Sequence, residues 1–413
     1  MQKLVPLFAM YFAQGLPFGV QSSALPLLLR QRGASLQTIG FASLLAMPWL
    51  AKALWAPLVD RYGSARWGRR KSWIVPMQLL LALSALVAAH LDGVVALAAV
   101  ILAMNVFAAT QDIAVDGLAV SWLDERQLGP ANAIQVVGYK LGMLTGGGLL
   151  VWASEWIGWR GLFYSVAGLM IGVLLITLSV REPGQSSGAS TPDTRVVERT
   201  AAETHQPLRL PAIVARLREL MKQPGTKALL LIMLTYKTGE TLADAMWKPL
   251  LLDRGFRVAQ IGLWSGTLGM TCSLLGSAAA GLLARSVALP RALVWIAAVR
   301  ALGVAGEWWI SSSPKVGAGA VIGVTCVEHL VGGAITTVVF ALMMRHTDRQ
   351  IGATHYTLLA SLEVLGKLPL ATFSGVLAVW LGYPSLFGLG TLLCIGFVFL
   401  AQALSRRLSL VAQ

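Results

Sequence analysis

Apolar runs of twenty or more residues follow one another along almost the whole chain, separated by short polar punctuation. A bilayer core takes ~20 consecutive apolar residues to cross as a helix. Inside lipid every backbone N–H and C=O must be satisfied within the chain, which leaves helices as the structure such runs adopt. Read this way, the spans fall near residues 4–29, 36–59, 72–91, 94–122, 128–154, 160–180, 226–252, 258–284, 291–312, 316–344, 351–380 and 383–404. The expected fold is therefore an all-α membrane protein of about twelve transmembrane helices. With 56% hydrophobic and 13% charged residues and a mean hydropathy of +0.68, a soluble enzyme and a nucleic-acid module are both excluded. The net charge of +14 sits mostly in short loops, as the positive-inside rule requires, so membrane lipid is its expected partner and nucleic acid is not. Cys272, Cys326 and Cys394 stand far apart, each inside an apolar run. Neither a disulfide nor a metal site is expected from that spacing.

One long polar stretch divides the chain into an N-terminal six-helix bundle (1–180), a cytoplasmic linker (181–224) and a C-terminal six-helix bundle (225–413). The halves repeat. Pro26-Leu27-Leu28-Leu29, Arg32-Gly33 and Ile39-Gly40 recur as Pro249-Leu250-Leu251-Leu252, Arg254-Gly255 and Ile261-Gly262, and Glu125-Arg126-Gln127-Leu128-Gly129 recurs as Asp348-Arg349-Gln350-Ile351-Gly352. The shared offset of 222 or 223 residues marks a six-helix unit duplicated in parallel. Lys and Arg favour the loops after spans 2, 8 and 10 and the C-terminal tail, so both termini are expected in the cytoplasm.

A duplicated six-helix unit with a polar central loop resembles the major facilitator superfamily. Asp60-Arg61-Tyr62-Gly63 followed by Gly68-Arg69-Arg70-Lys71 is similar to that superfamily's loop signature. The resemblance implies a gate in which Asp60 pairs with Arg61, Arg69 and Arg70 around Gly68; the alternative is that these cations only set topology. The second half has Leu282 and Arg285 in the matching region and no acid there, so such a lock is one-sided.

Charge inside a span is costly and marks a cavity or a pair. Asp112 and Asp116 on span 4 are one turn apart on one face. Two carboxylates that close cannot both ionise comfortably, which suits proton coupling; static pairing with Lys52, Lys140 or the loop arginines is the other reading. On span 7, Lys237, Glu240, Asp244 and Lys248 share a face next to Tyr236, with Lys237/Glu240 and Asp244/Lys248 spaced to pair. Glu240 and Asp244 join the candidate coupling carboxylates. Candidate substrate contacts are Gln14 and Gln21, aligned on span 1 with Tyr11 and Phe18; Tyr139 and Lys140 on span 5, beside Asn132 and Gln135; Tyr236 and Lys237; Glu328 and His329 on span 10; and Lys367 on span 11, which also carries His355, Tyr356 and Glu363. Gly138, Gly142 and Gly146 form small-xxx-small steps for close helix contact. Arg300 and Glu307 on span 9 are spaced for a structural pair.

The segment Ala109-Thr110-Gln111-Asp112-Ile113-Ala114-Val115-Asp116-Gly117-Leu118-Ala119, with Val137-Gly138-Tyr139-Lys140-Leu141-Gly142-Met143, resembles the muropeptide permease (AmpG-like) branch, which also includes siderophore permeases of the rhizobactin, pyochelin and yersiniabactin type. The resemblance implies a bacterial inner-membrane secondary transporter, not an enzyme, coupled to a proton gradient, monomeric and free of cofactors. Its expected cargo is a bulky organic anion. Compact length favours a siderophore such as ferric pyochelin; the alternative is a muropeptide, an anhydro-disaccharide peptide of cell-wall recycling, or another anion such as acetyl-CoA. No P-loop is present, which turns the expected energy source to an ion gradient. Lys140, Lys237 and Lys367 argue against an exporter of lipophilic cations.

Overall fold

The computed structural model describes residues 3–64, 68–122, 125–180, 210–223, 225–347 and 352–410. Among these residues the structure is helical, and the one β-type pairing is an isolated bridge between Ser64 and Gly68. Seven helical stretches are long and apolar enough to cross a membrane. Two of them, Ile134–Ser179 and Leu358–Ser405, each contain two passes, because the helix breaks at Gly158 (φ 68°) and Gly382 (φ 76°), in the left-handed region that favours glycine. The chain turns back at Gly158. Lys71 at the start of span 3 donates to the carbonyls of Leu178 and Val180, whereas His90 beyond its other end meets Tyr164 Oη at 3.0 Å.

The remaining passes are interrupted. Span 1 (4–31) carries a π-helical turn at Val20–Ala24. Span 2 (36–61) alternates α and 3₁₀ segments around Pro48 and Pro57, which lack the N–H that a continuous helix needs. Span 7 (226–253) breaks at Tyr236 and Lys237. With span 3 (71–88), span 4 (94–122), span 5 (125–157), span 6 (159–179), span 8 (258–286), span 9 (289–312), span 10 (318–346), span 11 (352–381) and span 12 (383–410), these make twelve. An amphipathic helix, Leu210–Leu220, precedes span 7.

The first six spans pack chiefly on one another, as do the last six. Within the first bundle, spans 1 and 5 run in parallel and nearly touch: a Cβ on Gly15 would lie 2.0 Å from the Tyr139 carbonyl oxygen, and one on Gly142 would lie 2.2 Å from that of Phe12. The small-xxx-small steps of span 5 are therefore helix contacts. Between the bundles, span 2 packs on span 11 and span 5 on span 8. The π turns Thr145–Leu149 of span 5 and Gly262–Leu268 of span 8 meet at that seam. Polar ties gather at the end remote from the N-terminus. Arg30 grips Asp253 through two 2.7 Å hydrogen bonds, and Arg257 meets Glu155 at 2.7 Å.

The packing of spans 8 and 10 brings Cys272 and Cys326, far apart in sequence, near one another, both free. One expectation is corrected. Arg300 does not pair with Glu307 among the described residues; its partners come from spans 7 and 10.

Candidate functional site

Polar side chains enter the interior from both bundles and differ in kind. On the N-terminal side, span 2 fastens to span 4 at three levels. Trp49 Nε1 donates to Asn105 (2.9 Å), Trp55 Nε1 to Thr110 (3.1 Å), and Lys52 pairs with Asp112 at 2.5 Å. Asp116, one turn further, accepts instead from Tyr11 Oη at 3.0 Å and Gln135 Nε2 at 3.2 Å. The two carboxylates of one helix face thus receive unlike partners, one a cation and the other neutral donors. Phe18, Trp49 and Tyr139 form an aromatic corner with ring centroids 5.9–6.4 Å apart, and Lys52 sits 5.5 Å from the Trp49 ring centroid. Gln14 is 1% exposed and Gln21 8%. Both amide atoms of Gln14 and Oε1 of Gln21 lack a hydrogen-bond partner among the described residues.

The C-terminal side is charged. Buried Arg300 donates to the Glu328 carbonyl and carboxylate, both at 2.5 Å, and approaches Glu240 at 2.9 Å without the alignment of a hydrogen bond. Glu328 also contacts its neighbour His329. Lys237 stands 3.8 Å from the same Glu240. Glu363 pairs with Lys367 at 2.6 Å, at the expected i,i+4 spacing, and accepts from Tyr236 Oη at 2.8 Å. Asp244 and Lys248 share a face as expected, yet form no ion pair with each other among the described residues; both lie within electrostatic reach of His329.

At the seam, Lys140 Nζ crosses from span 5 to span 8 and meets Ser277 Oγ at 3.0 Å and Ser273 Oγ at 3.3 Å. Among the described residues it has no carboxylate partner. Lys237, on the other bundle, is within its electrostatic reach.

The loop between spans 2 and 3 docks on span 4. The Arg70 guanidinium lies against Gly117, the residue after Asp116. Gly68 takes φ 93°, Ser72 Oγ donates to the Arg69 carbonyl, and Arg61 is exposed with its guanidinium carbon 5.6 Å from the Tyr62 ring centroid. The side chains of Asp60, Asn132 and Tyr356 lie outside the described residues. Sequence reasoning missed Trp49, Ser273 and Ser277. Trp49 alone carried a signal, an indole mid-span rather than at the membrane interface where tryptophan concentrates.

Residues 7–368 match the family model of the Major Facilitator Superfamily, and the chain belongs to that family. Its relatives place it in the AmpG-like muropeptide permease branch. It is 31% identical over 371 residues to the anhydromuropeptide permease of Escherichia coli (strain K12), covering 88% of this chain and 72% of that one. It is 22% identical over 415 residues to the putative transporter AmpG 4 of Rickettsia felis (strain ATCC VR-1525 / URRWXCal2), covering 98% and 97%. In fold it is similar to the crystal structure of the nucleoside transporter NupG (TM-score 0.70, 14% identity, 97% and 99% covered) and to that of a bacterial homologue of the human lysosomal transporter Spinster (0.72, 14%, 98% and 95%). The chain is a multi-pass membrane protein of a transporter family. The siderophore expectation finds no support in these relatives. Its ground was compact length, and the Rickettsia relative matches this chain almost end to end within the AmpG-named group.

Proposed function

We propose that this protein is a proton-coupled permease that imports an anhydromuropeptide across the bacterial inner membrane, with its N-terminal end in the cytoplasm. The observation that carries the substrate class is Lys140 at the seam between the bundles, hydrogen-bonded to two serine hydroxyls of span 8 and within electrostatic reach of Lys237. Among the described residues Lys140 has only serine hydroxyls as partners, and Lys237, 3.8 Å from Glu240, shares that carboxylate with the closer Arg300. A cation such as Lys140, without a carboxylate partner among the described residues and between low-dielectric walls, calls for an anion, and the peptide part of a muropeptide supplies carboxylates. Asp112 and Asp116, with Glu240 and Asp244 opposite, are the candidate proton carriers. Tyr139, Tyr236, Glu328, His329 and Lys367 surround the same interior.

Uptake of labelled anhydromuropeptide into proteoliposomes tests this, with a ferric siderophore as the competing cargo. Muropeptide accumulates when the lumen is alkaline, and an uncoupler abolishes the accumulation. Lys140→Gln or Lys237→Gln weakens binding by roughly 1.5–3 kcal/mol, the worth of a charge-assisted hydrogen bond, and Lys→Arg at either position recovers part of it. Siderophore accumulation without muropeptide uptake would overturn the proposal.

A further inference from the structure

We infer that the wall of the N-terminal bundle is a saccharide subsite: a pyranose ring rests against Phe18, Trp49 and Tyr139, and its polar substituents are read by the amides of Gln14 and Gln21. This rests on the muropeptide reading and assigns the sugar part of that cargo to one wall and the peptide part to the other.

A pyranose presents a C–H face with a rim of hydroxyl and acetamido groups. Its recognition calls for aromatic surface beside neutral, planar groups that both donate and accept. The N-terminal wall supplies both. The three rings converge from spans 1, 2 and 5, all partly exposed although they lie within membrane spans. The hydrogen bond from Trp49 Nε1 to Asn105 fixes the indole plane. Gln14 lies one turn before Phe18 on the same face of span 1, and Gln21 continues that face. Both are more than nine-tenths buried, with amide atoms that lack a hydrogen-bond partner among the described residues, and buried polar atoms without partners are uncommon in native proteins.

The internal repeat sharpens the assignment. The positions 223 residues after Gln14 and Gln21 are Lys237 and Asp244. At these two equivalent positions of span 1 and span 7 the C-terminal half carries charges and the N-terminal half neutral amides, so the two helices suit different chemistry. Tyr139 and Lys140 are consecutive on span 5, which joins the ring subsite to the anion-binding seam and matches the covalent order of sugar and peptide.

The test uses purified full-length protein in nanodiscs with three probes: the intact anhydromuropeptide, the anhydro-disaccharide without peptide, and the free peptide. Trp49→Leu and Gln14→Leu each weaken disaccharide binding about tenfold, equivalent to about 1.4 kcal/mol, and leave free-peptide binding unchanged. Unchanged peptide binding also shows that the variants are folded. Trp49→Phe, which keeps a ring, retains most of the disaccharide affinity. Lys237→Gln gives the opposite pattern, losing peptide and keeping disaccharide. Disaccharide affinity that survives both Leu substitutions while the parent binds intact muropeptide overturns the subsite and leaves the transport proposal standing. Equal losses for disaccharide and peptide also overturn it, because the residues then act on the fold. If the parent protein binds neither muropeptide nor disaccharide, the transport proposal itself fails.

Discussion

Asp112 and Asp116 share a helix face, and their chemistry parts at the partners. The Asp112 carboxylate meets the Lys52 ammonium at 2.5 Å, whereas Asp116 is held by a phenol and a primary amide. An amide can replace a carboxylate toward neutral donors with little disturbance, but it cannot neutralise a lysine. Asp112→Asn should therefore lower thermal stability in detergent more than Asp116→Asn. The loss stays below the ~3–5 kcal/mol of a broken, fully buried pair, because the Lys52 side chain keeps 31% exposure. Adding Lys52→Met to Asp112→Asn should recover part of it. For transport the expectation reverses: Asp116→Asn keeps substrate exchange and loses concentrative uptake, as removal of a proton carrier requires. Stability losses in the opposite order would make Asp116 the structural member of the two.

Bilayer thickness made the spans legible, since a helix must cross in one apolar run whatever its neighbours do. The expected breaks near residues 155–159 and 381–382 coincide with the left-handed glycines Gly158 and Gly382. Local spacing also found Glu363 with Lys367. It failed for Arg300, whose acids lie 60 residues earlier and 28 later in the chain on other helices, because which faces meet is decided by packing rather than by helical periodicity. The glycine pattern of span 5 was readable, but its partner, span 1, was not. That contact yields a sharp expectation. With a Cβ at Gly142 or Gly15 2.0–2.2 Å from a facing carbonyl oxygen, Gly142→Leu and Gly15→Leu should force spans 1 and 5 apart and abolish a monodisperse size-exclusion peak. Gly168→Ala and Gly172→Ala on span 6, with nothing within 4 Å of the added carbon, should leave that peak intact. Equal behaviour of the two sets would show that the bundle tolerates a wider separation of spans 1 and 5.

Duplication accounts for how the two bundles hold each other at the end remote from the N-terminus. Arg32 and Arg254, 222 residues apart, do the same local work: each ties the end of its own span to the end of the third span in its half, Arg32 through the carbonyls of Leu91 and Asp92, Arg254 through those of Ser311 and Ser313. Arg30 and Asp253 occupy equivalent positions 223 residues apart, yet carry opposite charges and bind each other across the interface, with Tyr383 Oη also donating to Asp253 at 2.8 Å. The repeat thus keeps its internal anchors while one equivalent pair has become complementary. A tie on the axis that relates the halves must break when they rock apart at this end. Its side chains are 27% and 28% exposed, so it contributes no more than about 1 kcal/mol, and Arg30→Gln should shift the balance of open and closed forms by roughly fivefold. Arg30→Asp, which sets two carboxylates face to face, should shift it further toward opening, read as increased labelling of a cysteine placed near this end. Arg30→Asp combined with Asp253→Arg should restore the parent's labelling and transport rate. If the exchanged pair behaves no better than either single reversal, the contact is incidental, and the packing of spans 2 on 11 and 5 on 8 closes this end without it.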